Sequence, residues 1–358
     1  MKAVVITEPG AIAIERLDDP TPGANEVVVA VEAVGLCGTD VHLLDGEFPA
    51  SYPLVPGHEF CGSVVATGRD ARGVPEGSFV CVDPSLHCGH CRFCREGRGN
   101  LCETWGAIGV STAGACADFV AVPAASVHPL PDRVPRRHGT VVEPLACAVH
   151  GFDQVGVRLG ADYLIYGAGT MGLLLAQLAA NAGAASVSVV DLNASRLPRA
   201  TNLGATHVAV SADELHHPGG WHVVIDATGT IPAIEDGMRR VRRGGTFLNF
   251  GVVAQKSTAR ISPFQIYHDE VRVIGSMAVL HSFARARDLL MQGAVNVDPI
   301  LTHLMPLDAY GEAIDTFRAG DGLKIQVTPQ SEHSLTTQPS VSTGEHPDGL
   351  SRNIQAAP

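Results

Sequence analysis

A glycine-rich turn near the middle of the chain leaves few folds open to it. The apolar segment YLIY is followed by GAGTMG, which places Gly167, Gly169 and Gly172 in G-x-G-x-x-G spacing. A helix-length segment, LLLAQLAANAGA, comes next, and the apolar run SVSVV then leads to Asp191, 19 residues after Gly172. This order of strand, glycine turn, helix and strand is typical of a doubly wound parallel sheet.

Each residue type in this turn suits a dinucleotide. The first glycine permits a tight turn, the second lets the backbone approach a pyrophosphate, and the third lets the helix pack closely on the strand. The N-terminus of the helix offers free N–H groups to the phosphates. Asp191 can accept hydrogen bonds from a ribose diol and would repel a 2′-phosphate, so NAD is expected rather than NADP. The predicted turn contacts are Gly167, Gly169, Thr170, Met171 and Gly172.

Strands and helices continue to alternate after the turn, which predicts a parallel sheet covered on both faces. The segment IPAIEDGMRRVRRGG, residues 231–245, is expected to be one of these helices, and GTFLNFGV the strand that follows it. Residues 1–146 differ, because β-branched segments such as EVVVAVEAV alternate there with turns rich in Pro and Gly. Residues 331–358 are polar and nonperiodic, which is typical of a disordered tail.

Four of the nine cysteines form a compact motif. Cys88, Cys91, Cys94 and Cys102 follow the pattern C-x2-C-x2-C-x7-C. Four thiolates suit tetrahedral zinc and leave no ligand position for water, so the predicted site is structural. An iron–sulfur cluster is the competing interpretation, since ferredoxins also use C-x2-C-x2-C.

Composition excludes several other classes of protein. The chain of 358 residues has 25 Lys and Arg against 37 Asp and Glu, a net charge of −12, whereas nucleic-acid binding needs a basic face. A run of about 18 uncharged apolar residues is lacking, so no membrane span is expected. The N-terminal segment does not resemble a secretory signal, and we expect a cytoplasmic protein.

A second group of candidate metal ligands precedes the glycine turn. The motif CGTDVH contains Cys37, Thr39 and His42, while GHE supplies His58 and Glu59, and VEPLA supplies Glu143. With the four-cysteine lobe and the turn, these motifs resemble the zinc-dependent medium-chain alcohol dehydrogenases over about residues 1–330. The polyol (sorbitol, arabinitol) and threonine dehydrogenase branch is the most similar.

The resemblance implies a catalytic zinc in addition to the structural one, held by Cys37 and His58. Polyol-type members take their third ligand from the position of Glu59, and Glu143 is expected on or near the metal, so the choice between these carboxylates stays open. Cys147 is expected to be a packing residue, although it could replace one of them. Thr39 is implied to take the substrate's proton and His42 to deliver it to water.

The resemblance also implies the remaining cofactor contacts and the domain organisation. Arg196 is expected at the adenosine ribose, and Phe250, Gly251 and Val252 near the nicotinamide. The implied fold is a β-rich GroES-like catalytic domain (residues 1–146 and 284–330, with the zinc lobe at 86–104) and a Rossmann NAD-binding domain (147–283).

The implied function is hydride transfer between a polyol or other secondary alcohol and NAD, in a homodimer or homotetramer. Two alternatives remain: an amino-alcohol substrate, as in threonine or aminocyclitol dehydrogenases, and a non-catalytic nucleotide-binding protein on the same fold. Members of the latter kind tend to lose zinc ligands, whereas this chain keeps Cys37, His58, Glu59 and Glu143.

Overall fold

The protein is described by a computed structural model that covers residues 1–48 and 50–329. The strands are β1 Lys2–Glu8, β2 Ala11–Arg16, β3 Glu26–Gly35, β4 Glu59–Thr67, β5 Phe79–Val82, β6 Ser85–Leu86, β7 Gly106–Ala107, β8 Phe119–Pro123, β9 Val127–Pro129, β10 Asp162–Tyr166, β11 Ser186–Val190, β12 His207–Ala209, β13 Trp221–Asp226, β14 Val241–Asn249, β15 Arg272–Gly275, β16 Leu301–Pro306 and β17 Lys324–Thr328. The α-helices are α1 Gly38–Leu44, α2 Arg92–Arg95, α3 Val142–Val155, α4 Thr170–Asn181, α5 Leu197–Asn202, α6 Ile231–Arg240, α7 Pro263–His268, α8 Phe283–Met291 and α9 Tyr310–Ala319. The predicted tail, residues 331–358, lies outside the described residues.

Two sheets confirm the predicted fold class, a β-rich part joined to a doubly wound parallel sheet. The first sheet runs in the order β16-β17-β3-β4-β5-β9, with β8 also paired to β3. Strands β16 and β17, the first two in this order, come from residues 301–328, and β17 runs antiparallel to β3. The second sheet runs in the order β12-β11-β10-β13-β14-β15, and all of its pairs are parallel.

The parallel sheet brings its functional loops to one edge. Gly167 follows β10, Asp191 follows β11, and Phe250 begins the segment after β14. Because parallel strands end on the same side, these residues share the carboxyl edge, where ligands bind in such folds.

Helix α3 connects the two sheets. It begins at Val142 and buries Leu145 in a core that contains Cys61 of β4, Ile165 of β10 and Leu248 of β14. A side chain near the start of α3 is therefore held against both sheets.

The helix predicted over residues 231–245 is shorter than expected. Helix α6 ends at Arg240, and Val241 already pairs with Trp221 as the first residue of β14. Gly244 has a φ of 68°, a left-handed conformation that no α-helix contains, so the Gly-Gly pair belongs to a strand irregularity. Pro198 lies in the first turn of α5, where a missing N–H costs little.

Helix α1 was not expected within the strand-rich N-terminal part. Cys37 precedes its first turn, and the backbone N–H of Cys37 donates to Asp40 Oδ2 at 2.8 Å. No helix among the described residues is long and apolar enough to cross a membrane.

Candidate active site

Three of the predicted catalytic-metal ligands lie together. Cys37 stands just after β3, and the adjacent strand β4 begins at Glu59 with His58 immediately before it. One ligand atom from each of Cys37, His58 and Glu59 lies within 4.8 Å of the others. A thiol, an imidazole and a carboxylate are the ligand types that zinc prefers, so the donor set fits this ion.

Asp40 lies beneath His58 but does not hydrogen-bond to it. The distance from His58 Nδ1 to Asp40 Oδ1 is 3.8 Å, and both atoms are buried without a hydrogen-bond partner. The contact is therefore an electrostatic one, and it leaves an unpaired polar nitrogen beside the three ligand atoms.

Glu143 lies at the edge of this group rather than in it. It occupies the first turn of α3, and its Oε1 accepts a hydrogen bond from Cys147 Sγ at 3.4 Å. Burial, together with the negative charge of Glu59, raises the pKa of Glu143 to about 7. A carboxyl group with this pKa can gain or lose a proton near neutral pH.

The two predicted proton-transfer residues lie on one side of α1. Thr39 Oγ1 is 3.7 Å from Cys37 Sγ, at the candidate metal site. His42 is three residues further along the helix, is 31% exposed, and has its Nδ1 2.6 Å from Glu47 Oε2. Residues three apart on a helix are neighbours, so the pair leads from the buried site toward solvent.

The four predicted structural cysteines converge. Their ligand atoms lie within 4.8 Å of one another, with 4.0 Å between the sulfurs of Cys88 and Cys94 and 3.9 Å between those of Cys91 and Cys102. A zinc tetrahedron with ~2.3 Å bonds has edges of about 3.8 Å. The spacing therefore suits a single ion and leaves no room for an iron–sulfur cluster.

Backbone N–H groups in the lobe favour two of these thiolates. The N–H of Cys88 donates to Cys102 Sγ at 3.3 Å and lowers the Cys102 pKa to about 6. The N–H of Cys94 likewise lowers the pKa of Cys91. Burial raises the pKa of Cys94 to about 12, so a metal must displace its proton.

The glycine turn has the shape that a bound dinucleotide requires. Gly167 has a φ of 103°, and a side chain at Gly172 would collide with its carbonyl oxygen. Gly169 precedes α4, and a Cβ added there would meet no atom within 4 Å, so this face of the turn is open. Thr170 and Met171 form the first turn of α4.

Asp191 and Arg196 lie beside the turn. Asp191 Oδ2 accepts a hydrogen bond from the N–H of Ala168 at 2.7 Å, and its Oδ1 accepts one from the N–H of Asn193 at 2.8 Å. Arg196 is 3.9 Å from the Asp191 carboxylate and donates to the carbonyl of Gly320 at 2.8 Å.

The predicted nicotinamide contacts lie further along the same sheet edge. The N–H groups of Phe250 and Gly251 donate to the carbonyl of Asp226, and Val252 is 65% exposed. The Phe250 ring packs against Gly151 of α3, where an added Cβ would come within 3.1 Å of it. Helix α3 therefore contacts this edge with one end and carries Glu143 at the other.

A cavity of about 520 Å³ opens beside α3, between the zinc lobe and the ends of β14 and β15. The polar lining of this cavity was not predicted from the sequence, although His150 lies seven residues after Glu143 on the same helix face. Asn100 also lines this cavity. No sequence pattern predicts that an asparagine in the cysteine lobe is buried. The lining residues are Arg98, Asn100, Leu101, His150, Gln154, Asn249, Gly275, Ser276, Met277 and Leu280.

Lys324 is the other residue that sequence analysis missed. It is 3% exposed, and its Nζ donates to Glu59 Oε2 and to the carbonyl of Leu36. The scarcity of lysine in this sequence could have drawn attention to it, since the only lysines are Lys2, Lys256 and Lys324.

Comparisons with known proteins agree with this geometry. The family model described as alcohol dehydrogenase GroES-like domain matches residues 23–132, and the one described as zinc-binding dehydrogenase matches residues 170–292. D-arabinitol dehydrogenase 1 of Uromyces fabae is 35% identical, over 92% of this chain and 97% of its own length. L-threonine 3-dehydrogenase of Mesorhizobium japonicum is 33% identical, over 91% and 98%. A zinc-binding dehydrogenase of Sinorhizobium meliloti, crystallised with NADP, is 36% identical with a TM-score of 0.89, over 92% and 99%.

Proposed function

The chain belongs to the zinc-dependent medium-chain alcohol dehydrogenase family, and from this membership we propose that it oxidises a polyol or another secondary alcohol with NAD. The observation that carries the proposal is the convergence of Cys37, His58 and Glu59 within 4.8 Å. A non-catalytic protein on this fold would have no need to keep such a donor set. The similarity to an arabinitol dehydrogenase favours a polyol substrate.

We assign Cys37, His58 and Glu59 as zinc ligands, with Glu143 beside them. Zinc bound there would polarise the alcohol oxygen and lower its pKa, while NAD would accept the hydride. We propose that Thr39 accepts the hydroxyl proton before hydride transfer while releasing its own hydroxyl proton toward His42, which is partly exposed and delivers a proton to water. Glu143, with its pKa of about 7, is proposed to orient the substrate hydroxyl beside the metal site.

NAD is proposed to lie along the carboxyl edge of the parallel sheet. Its pyrophosphate fits the open face of Gly169 and the start of α4. Asp191 accepts the adenosine ribose hydroxyls, with Arg196 beside it. Phe250, Gly251 and Val252 are proposed to contact the nicotinamide, next to α3. NADP is the alternative, since a solved relative binds it.

The second zinc is proposed to be structural and bound by the four cysteines of the lobe. Four thiolates complete a tetrahedral shell and leave no position for a substrate. The ion would stabilise a segment that has few buried residues of its own.

We propose the domain division predicted from sequence: residues 1–146 and 284–330 as the catalytic domain, and 147–283 as the NAD-binding domain. Support comes from the sheets, since β3, β4 and β17 share one sheet and β10 to β15 form the other. The proposed boundary at 146/147 falls within α3, so this helix would belong to both domains.

A cytoplasmic homodimer is the proposed assembly, with a homotetramer as the alternative. Within the described part of the chain, β15 pairs only with β14 and forms the edge of the parallel sheet. Val273 on this strand is 45% exposed, and Phe264 and Tyr267 on the preceding helix are 68% and 83% exposed. An edge strand that exposes an apolar side chain next to other exposed apolar residues is suited to pairing with a second copy.

An amino alcohol is the second candidate substrate, favoured by the similarity to L-threonine 3-dehydrogenases. The hydride chemistry would be unchanged, and only the polarity of the pocket would differ. Assays of NAD reduction with sugar alcohols, inositols, amino alcohols and simple secondary alcohols separate the two candidates by their relative kcat/KM.

The catalytic-zinc assignment is tested by Cys37→Ser, with Cys147→Ser as its matched control. We expect two zinc ions per chain in the wild type and in Cys147→Ser, but one in Cys37→Ser, with loss of turnover because an open zinc site needs this thiolate. Metal analysis and NAD reduction measure both effects. A Cys37→Ser variant with two zinc ions and full activity would sink the assignment.

A further inference from the structure

A buried ion pair crosses the sheet next to the candidate metal site. Strand β3 lies between β17 and β4, with Gly35 opposite Glu59 on one side and opposite Gln326 on the other. Lys324, two residues before Gln326, extends across β3 to Glu59 Oε2 and donates to the Leu36 carbonyl at 3.0 Å. Lys324 and Glu59 are 3% and 1% exposed.

Gly35 provides the space in which the two charged side chains meet. A Cβ added to Gly35 would collide with Glu59 Oε2 and lie 3.1 Å from Lys324 Cδ. The φ of Gly35 is not in the left-handed region, so backbone conformation does not require glycine here. The required feature is the absence of a side chain.

Net stability does not account for such a pair. Removing two charges from water costs several kcal/mol per ion, and apolar residues of similar volume are often as stable or more so. The pair does have a geometric consequence, because Lys324 occupies one oxygen of Glu59. A metal held by Cys37 and His58 would therefore find only Oε1 of Glu59 free of the bond to Lys324.

We propose that Lys324 is a positioning residue that makes Glu59 the third zinc ligand, bound through a single oxygen, with Gly35 providing the room. This inference rests on the proposed function, since it requires a metal at Cys37, His58 and Glu59. Lys324 also offsets the negative charge that Cys37 and Glu59 bring to one buried site. Glu143 is thereby left for the substrate.

The test is binding of Co²⁺ to the metal-depleted full-length protein, with Cys37→Ser subtracted so that only the open site is followed. We expect Lys324→Met to weaken Co²⁺ binding at this site by about 10- to 100-fold, the usual effect of losing a residue that orients a ligand. Its visible cobalt spectrum should also change, because an unrestrained carboxylate alters the coordination number. Lys2→Met, which breaks an exposed ion pair with Asp308, is the matched control and should leave both readouts unchanged.

Gly35→Ala provides an independent variant if Lys324→Met fails to fold. It keeps both charges but separates them, so it should reproduce the weaker binding and the altered spectrum. Wild-type cobalt affinity and spectrum in folded Lys324→Met or Gly35→Ala overturn the positioning role alone. A wild-type protein that takes up cobalt only in the four-cysteine lobe overturns the proposed function instead.

Discussion

The carboxylate of Asp191, just after β11, has one structural role and one proposed role in cofactor binding. Asp191 accepts hydrogen bonds from the N–H groups of Ala168 and Asn193, which fix it beside the glycine turn. The same carboxylate is the proposed partner of the adenosine ribose. Its charge therefore organises the turn and, in the proposed function, also selects the dinucleotide.

We expect Asp191→Ser to lower kcat/KM for NAD by about 10- to 100-fold, because a hydrogen bond to a charged group contributes about 1.5–3 kcal/mol. Activity with NADP should fall less or rise, since the repulsion of a 2′-phosphate is removed. Steady-state kinetics with both cofactors measure the ratio, and Asp213→Ser, at an exposed acid paired with Arg240, is the control. An equal loss with both cofactors would mean that Asp191 acts only by holding the turn.

The grouping of the candidate metal ligands was predictable to the extent that their contacts are local in sequence. Cys37, His58 and Glu59 lie in short motifs, and the adjacent strands β3 and β4 bring those motifs together. Lys324 was not predictable, because it meets Glu59 across 265 positions. No periodicity or spacing specifies a contact of that range, which depends on how β17 joins the sheet.

The zinc lobe and the segment after β15 are joined at the scale of elements. Asn100 Nδ2 donates to the carbonyl of Met277 at 3.0 Å, and His281 Nε2 lies 2.7 Å from the carbonyl of Gly97. Ala278 and His281 both have positive φ, 50° and 51°, which costs energy for residues with a side chain. The lobe therefore holds residues 276–281 in a conformation that the segment would not adopt alone.

We expect Asn100→Ala to lower the free energy of unfolding by about 0.5–1.5 kcal/mol, since it removes the hydrogen bond that the buried Asn100 donates to the Met277 carbonyl. Hydrogen exchange in residues 276–281 should become faster in the variant than in the wild type, while exchange in β14 should stay unchanged. Urea denaturation and exchange mass spectrometry measure the two effects. Asn181→Ala, which removes an exposed bond of the same kind to Ala294, should have little effect on either. Unchanged exchange in residues 276–281 would show that the lobe does not hold this segment.

The boundaries of helices and strands were predicted well where a periodic apolar pattern extends over many residues. They were predicted poorly where only a few residues determine the boundary. Helix α4 and the strands beside it followed from the glycine turn. Residues 241–245 were wrongly placed in a helix, because the apolar spacing of α6 continues into Val241 while the Gly244–Gly245 pair favours a strand irregularity. Helix α1 is only seven residues long and depends on the bond from Cys37 to Asp40, which has no periodic signal.

At the scale of the molecule, α3 couples the two sheets, and β15 is an edge strand among the residues that the structure describes. Helix α3 contacts Phe250 at the carboxyl edge of the parallel sheet and carries Glu143 beside the candidate metal site. On the far side of β14, the edge strand β15 leaves main-chain groups and an exposed apolar side chain toward solvent. Two-fold pairing of this strand would continue the six-stranded sheet through a second copy and leave both active sites intact.

We expect Val273→Lys to convert the proposed dimer into a monomer, because it replaces an exposed apolar side chain with a second positive charge beside Arg272 and so opposes pairing with its own copy. Light scattering should show a halved mass, and zinc content should stay at two per chain since both sites lie elsewhere. Val157→Lys is the matched control. Val157 and Val273 have similar exposure, 53% and 45%, but Val157 lies in the loop after α3 and away from the edge strand. A Val273→Lys variant with the wild-type mass would place the interface on another surface, and a monomeric wild type would remove the proposed assembly altogether.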